Sequence, residues 1–146
     1  MPITKKEDIK VHFIELKVHP SYGTVINRIY HVVENGNPLV MGPFIKNLNK
    51  DLREKVKDLI SKMATIENYK APIITSHLRG YNYGEICPMP HRFFFFHKCG
   101  NNLIFFGYVL KKKNSFPDSF YKDLNKEKER YEKEFEKFIE RNRRNI

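Results

Sequence analysis

The chain has 146 residues, 40% of them hydrophobic and 30% charged, enough for one domain that buries a core without disulfide or metal staples. Its formal net charge of +10 points to an anionic partner such as nucleic acid, the ribosome or an acidic protein. No apolar run approaches the ~20 residues of a membrane span, "MPITKKEDIK" has no apolar segment of a secretory leader, and the two cysteines, Cys87 and Cys99, show no CxxC spacing. The expectation is a cytoplasmic protein with reduced thiols and no membrane partner.

"IKVHFIELKVH" (9–19) mixes β-branched and aromatic residues with polar ones and reads as a strand. After the turn signal "PSYGT", the alternation in "VINRIYHVV" (25–33) gives a second strand, ended by "ENGNP". The period then changes. Met41, Phe44, Ile45, Leu48, Leu52, Val56, Leu59, Ile60 and Met63 recur in steps of three and four, one helical stripe. "NLNKD" divides it into a short and a longer helix, with Asn49 as the N-cap of the second.

"NYGEIC" (82–87) reads as a short strand and "PMP" as a bend. "HRFFFFHK" and "NLIFFGYVL" form a hairpin around Gly100-Asn101. Neighbours in a strand point to opposite faces, so His91, Phe93, Phe95 and His97 share one face and Arg92, Phe94, Phe96 and Lys98 the other. Both faces are apolar in mid-strand, which predicts a central, doubly covered strand whose polar ends reach the rim. From about 118 a long amphipathic helix carries Phe120, Leu124, Tyr131, Phe135, Phe138 and Ile139 on its stripe, with Asp118 in its first turn. The predicted class is α+β: a twisted antiparallel sheet, a helical pair before its last three strands, and a long C-terminal helix.

Charge is unevenly spread. Positions 74–117 hold six Lys or Arg and one acid, Glu85, whereas 118–141 hold eight acids and seven bases. The hairpin segment therefore concentrates cations. Lys111-Lys112-Lys113 at its exit suits either a phosphate-binding run or a charged edge that discourages strand pairing.

The ordered set "F-I-x-x-L", "L-x-x-K-V-x-x-L-I", "Y-G-E-I-C", "H-R-F-F-F-F", "F-F-G-Y-V-L-K-K-K", proline and helix resembles the RelE/ParE toxin superfamily, and within it the HigB or phage Gp49-like branch. That branch runs "L-Y-E-L-R", "Y-R-I-x-Y", "L-x-G-F-x-K-K" and a proline before the last helix. The resemblance spans about 25–121, leaving 1–24 as an N-terminal extension with an extra strand and 25–146 as the toxin-like domain. It implies a RelE-like fold and a toxin of a type II toxin-antitoxin system. Such toxins are mostly ribosome-dependent endonucleases that cleave mRNA by 2′-hydroxyl attack without metal or cofactor. They are silenced by an acidic or helix-turn-helix antitoxin. The ParE side of the superfamily poisons DNA gyrase instead, so a non-catalytic toxin or a nucleic-acid- or protein-binding module of the same fold is the alternative.

Carried onto this chain, the family's motif arginine is Arg92, a clamp for the scissile phosphate, since guanidinium grips two oxygens. The alternative reading of Arg92 is a strand-end arginine in a surface ion pair. Lys111 and Lys112 match the family's basic pair, with Lys112 assigned to catalysis and Lys113 in support. His91, at the motif's tyrosine position, is the proton-transfer candidate. Arg79, His77 and Tyr83, with Tyr81 beside them, are candidates for contacting RNA from the "HLRGYNYG" segment. Tyr121 would stack a base or move a proton, or else serve the core. The pattern departs from the family at Glu85 and Cys87, where relatives carry basic residues; a carboxylate and a thiol cannot supply a cation's field. The spacing C-x3-H-x5-H-x-C over Cys87, His91, His97 and Cys99 matches no usual zinc site, so no metal is expected.

Overall fold

Local signals place the helices. A computed structural model describes residues 10–18, 23–65, 74–75, 80–110 and 116–144. The period-3.6 stripe forms α1 (Met41–Asn47) and α2 (Lys50–Thr65), and the second stripe forms α3 (Asp118–Arg144). Asn49 caps α2: its Oδ1 accepts a 2.9 Å hydrogen bond from the Leu52 backbone N–H. At 27 residues, α3 is about 40 Å long.

The strands are β1 (Val11–Leu16), β2 (Arg28–Glu34), β3 (Asn37–Pro38), β4 (Ile74–Thr75), β5 (Gly84–Ile86), β6 (His91–Lys98) and β7 (Asn102–Leu110). They form one sheet in the order β1-β2-β7-β6-β5-β4, with β3 on the end of β2. The expected α+β arrangement is present, but the sheet is mixed. β2 and β7 pair in parallel, with Arg28 opposite Asn102 and His31 opposite Phe105, while the other pairings are antiparallel. The extra N-terminal strand belongs to the same sheet, as its antiparallel edge against β2. The tight turns use the left-handed backbone region, at Asn35 and Gly36 between β2 and β3 and at Cys99 and Gly100 between β6 and β7.

Helices cover the sheet on both faces. Val40, Phe44, Leu48, Val56 and Met63 pack on Ile29, Phe93, Phe95, Leu103 and Phe105. Tyr121, Tyr131 and Phe135 of α3 pack on Phe13, Tyr30, Phe94, Phe96, Ile104 and Phe106 of the other face. Phe93 to Phe96 are each 1% exposed, so β6 is central and doubly covered, as its sequence implies.

A β-bulge interrupts the β6–β7 hairpin. Phe94 is opposite Gly107 and Phe95 opposite Phe105, so β7 carries one extra residue there. The bulge shifts the phase of the strand. Tyr108 consequently joins the α1/α2 side, although unbroken alternation would put it with Ile104 and Phe106.

Polar groups then pin α3. Arg130 donates to both carboxylate oxygens of Glu34 at 3.3 Å and to Glu127 at 2.6 Å, and the Tyr131 hydroxyl donates to Glu34. Near the hairpin tip Lys98 bridges Glu132 (3.4 Å) and Glu136 (2.9 Å) of α3. This cation from the hairpin segment is spent on the fold.

His31, 6% exposed on β2, has no hydrogen-bond partner at Nδ1 among the described residues, and burial holds its pKa below the usual histidine value. The unfolded chain takes up a proton near pH 6.5 while the folded ring resists it, so this site costs stability as pH falls through that value. His31→Phe should flatten part of that acid-side loss, measured as the difference in urea midpoint between pH 7.5 and 5.5. An unchanged slope would mean that the folded ring takes its proton as readily as the unfolded one.

Candidate functional site

The lower edge of the sheet, where β5 ends and β6 begins, gathers the chemistry. Gly84, Glu85 and Ile86 face Phe95, Phe94 and Phe93, and the chain then bends through Pro88 to Pro90 into His91. Period-2 alternation puts Tyr83, Glu85 and Cys87 on the α3 side with Arg92 and Phe94. Arg92 reaches diagonally back across the pair, its Nη1 3.6 Å from Oε1 of Glu85. Their side chains are only 8% and 9% exposed. The expectation that the polar ends of β6 reach the rim is thus corrected at its start: Arg92 and His91 are both 6% exposed. Phe116, which precedes α3, lies over the guanidinium at 5.7 Å, and the His91 backbone N–H donates to the Pro88 carbonyl of the bend at 3.0 Å.

The electrostatics follow from this burial. Desolvation raises the pKa of the Glu85 carboxyl, and the adjacent Arg92 charge opposes it only in part. Oε2 of Glu85 has no hydrogen-bond partner among the described residues. The Cys87 thiol is pushed up, first by burial and further by Glu85, against the pull of Arg92. A raised thiol pKa leaves it a poor nucleophile. The pair is therefore a guanidinium held beside a carboxyl group that is easier to protonate than an ordinary glutamate.

Not all of the candidates chosen from sequence converge here. His91 lies on the opposite face, where its Nδ1 is 2.8 Å from the Tyr108 hydroxyl. Burial lowers its pKa. Tyr108 also accepts a long hydrogen bond, 3.4 Å, from Asn47 at the end of α1. Arg92 and His91 thus serve separate faces. Tyr83 and Tyr121 are 2% and 3% exposed, and the Tyr83 hydroxyl donates to the Tyr121 carbonyl at 2.9 Å. They tie α3 to β5 from within the core, so neither offers a free ring face to a base. Tyr81 is half-buried and stacks on Tyr83 at 5.5 Å. His77, Arg79, Lys111, Lys112 and Lys113 lie outside the described residues. Leu110, the last residue of β7, is 52% exposed and paired with His91, at the end of the sheet that holds Arg92.

Two participants escaped the reading from sequence. Glu85 looked like a loss of positive charge, and the pairing of β5 with β6 makes it the counter-ion of Arg92. Phe116, two residues before α3, is the other, and its ring covers the Arg92 guanidinium. The alternation Tyr83-Glu85-Cys87 was the available signal for the first; nothing local signalled the second.

Two hollows flank this region. One, of about 380 Å³, lies between α1, α2 and the sheet and is lined by Val40, Phe44, Val56, Ile60, Phe93 and Phe105 among others. The second, of about 430 Å³, opens beside the hairpin tip between Tyr83, Phe96, Lys98 and Glu132. Among the described residues no group of three or more His, Cys, Asp or Glu is placed to hold a metal ion, and no helix is long and apolar enough to cross a membrane.

Comparison with known proteins returned no matching family model, no matching curated protein and no matching solved structure.

Proposed function

We propose that this chain is a type II toxin of the RelE/HigB kind, a cytoplasmic protein that cleaves mRNA on the ribosome and is neutralised by a protein antitoxin. The observation that carries the reading is the Arg92–Glu85 pair. A buried guanidinium needs a counter-charge while no substrate is bound. At 3.6 Å this one is long for a charge-assisted hydrogen bond, and one carboxylate oxygen is left without a partner among the described residues. A substrate phosphate displacing the carboxylate would give Arg92 a better partner and free Glu85 as a base.

In this reading the 2′-hydroxyl gives its proton to Glu85 and attacks the adjacent phosphorus; the P–O5′ bond breaks, the 5′-oxygen takes a proton from water, and a 2′,3′-cyclic phosphate remains. Arg92 stabilises the charge that gathers on the phosphate oxygens. A carboxyl with a raised pKa suits proton transfer near neutral pH. Because His91 faces the other side of the sheet, the acid-base role beside Arg92 falls to Glu85. The lysines that follow Leu110 and the net charge of +10 suit a polyanionic target.

A second reading, a toxin that binds its target without cleaving it, is favoured by the 6–7% exposure of Arg92 and Glu85. Primer extension on programmed ribosomes separates the two. The expected result is new A-site cuts with wild type, lost with Arg92→Ala and reduced about a hundredfold or more with Glu85→Gln. Absence of cuts, with ribosomes that a control toxin cleaves, would move the function to the binding reading.

A further inference from the structure

Protein cores pack about as tightly as organic crystals and leave few voids larger than a water molecule. The core on the face of the sheet opposite Arg92 departs from that. Between the helical pair and the sheet it holds a hollow of about 380 Å³. The floor is Ile86 of β5, Phe93 of β6 and Phe105 of β7, side chains 0–2% exposed. These three strands are neighbours in the sheet, so the floor by itself is about 10 Å across. The hollow also reaches Leu16 and Val18 by the end of β1, two strands beyond β7, under Val56 and Ile60 of α2. It is therefore long and apolar. Its volume falls among those of small-molecule sites, roughly 300–1,000 Å³.

Among the described lining residues only Lys17, Lys57 and Asp58 are exposed, so they mark where the hollow meets solvent. That mouth carries two cations and one acid. Lys17 makes no ion pair among the described residues. Lys57 is 3.6 Å from Glu54, both side chains more than 60% exposed, a surface contact that is given up at little cost. Lysine stems lie along apolar surface while their ammonium groups stay in water. We propose that the hollow binds a medium-chain fatty acid, its alkyl chain over Phe105, Phe93 and Ile86 and its carboxylate at Lys17 and Lys57. Burial of the alkyl chain supplies the driving force. Phenylalanine, isoleucine and valine side chains offer no hydrogen-bond partner in the depth of the hollow, so a ligand with polar groups along its length would lose its bonds to water without replacement. The excess of lysine at the mouth selects an anionic head over a cationic one. This site shares no residue with the Arg92–Glu85 pair and lies on the other face of the sheet, so it stands apart from the ribonuclease reading.

Titration calorimetry of the full chain with decanoate, at low salt and below its micellar concentration, tests this. The expected result is one site with Kd of about 1–100 μM and a negative heat-capacity change. Decylamine, the same chain with a cationic head, should bind at least about tenfold more weakly. Lys17→Glu, at an exposed position, should weaken decanoate about tenfold and leave the uncharged decanol within about twofold. Methyl NMR of wild type at saturation locates the ligand without any variant. The methyl signals of Val56, Ile60 and Ile86 should shift, and those of Val32 and Ile104, buried on the α3 side, should stay. No saturable binding of decanoate overturns the proposal. So does saturation that leaves Ile86 and Val56 unmoved, which would place the fatty acid elsewhere. Decylamine binding as tightly as decanoate, or Lys17→Glu without effect on either, overturns the assignment of the lysine mouth to a carboxylate.

Discussion

Arg92→Met should cost the fold about 3–5 kcal/mol at pH 8, and distinctly less at pH 5. The reason is the carboxylate left behind. Glu85 is 7% exposed and already has a raised pKa with Arg92 in place. Without the cation its charged form has neither water nor a partner, so its folded pKa rises further. The sign follows. A carboxyl whose folded pKa lies above its unfolded value holds a proton in the native state that the unfolded chain gives up, so stability falls as pH rises through that window. The loss should therefore grow with pH, in the opposite sense to His31. Urea denaturation at pH 5 and 8 measures it. The double variant Glu85→Gln/Arg92→Met should recover a large part of the loss at pH 8, because a neutral amide has no charge to strand. A loss below about 1 kcal/mol at both pH values would describe a solvated surface pair. In that case the long 3.6 Å contact would be ordinary and would no longer mark a functional site. The comparison bears on activity too: a cleavage defect in Glu85→Gln, which keeps the shape of the side chain, cannot be ascribed to a collapsed fold if that variant unfolds at the wild-type urea concentration.

Phe135→Ala should be comparably severe, about 3–5 kcal/mol and on the order of 10 °C in Tm. Phe135 is 0% exposed at the middle of α3. Its ring meets Phe13 edge-on at 5.0 Å, Tyr30 at 5.2 Å and Phe138 at 5.7 Å. It therefore joins α3 to both strands of the N-terminal hairpin, and truncation would open a cavity that three large rings cannot easily fill. Hydrogen exchange should show the damage as lost protection in α3 and β1 before α2, which packs on the other face of the sheet. Loss spread evenly over all elements would instead show that the two faces unfold as one unit. Phe138→Ala, at a half-buried ring of the same cluster, should cost clearly less.

The helix-dock experiment also bears on the site. Phe116 and Phe120 stand beside the start of α3, stacked on each other, and the position of Phe116 over Arg92 depends on how that helix sits. The Lys98 bridges and the Glu34 cluster fix it further along. Residues far from Arg92 thus set the geometry at Arg92. A weakened site in Phe135→Ala would be a matter of positioning, and under the proposed ribonuclease reading its cleavage should recover at lower temperature as α3 redocks.

Much was legible from the chain alone, and for a common reason. The start of α3 at Asp118, the Asn49 cap, the break between α1 and α2 and the two-faced burial of Phe93 to Phe96 all depend on residues within about one turn or one strand of each other. Backbone geometry makes 3.6 and 2 the available periods, and side-chain polarity then chooses which face goes inward. The alternation in β6 even assigned His91 and Arg92 to opposite faces, which the structure bears out. It also means that the two residues picked from sequence as catalytic partners do not form one site.

What the sequence left open depends on distant pieces of chain. No local pattern distinguishes a parallel from an antiparallel neighbour for β2, because either pairing buries the same alternating residues; that the neighbour is β7, in parallel, is a fact of the assembled sheet. Nor does it show that a single extra residue near Gly107 turns Tyr108 toward His91, since a bulge is a property of two strands in register. The same holds for the site. Sequence supplied an arginine, a glutamate and a phenylalanine, at 92, 85 and 116, with nothing local to join them. Strand pairing and the docking of α3 brought them together and excluded water, and exclusion of water is what changes a carboxylate's proton affinity and gives an ion pair chemical consequence. Elements and faces were settled by local periodicity. The candidate site was decided by tertiary structure, because desolvation belongs to the assembled fold and to no residue by itself.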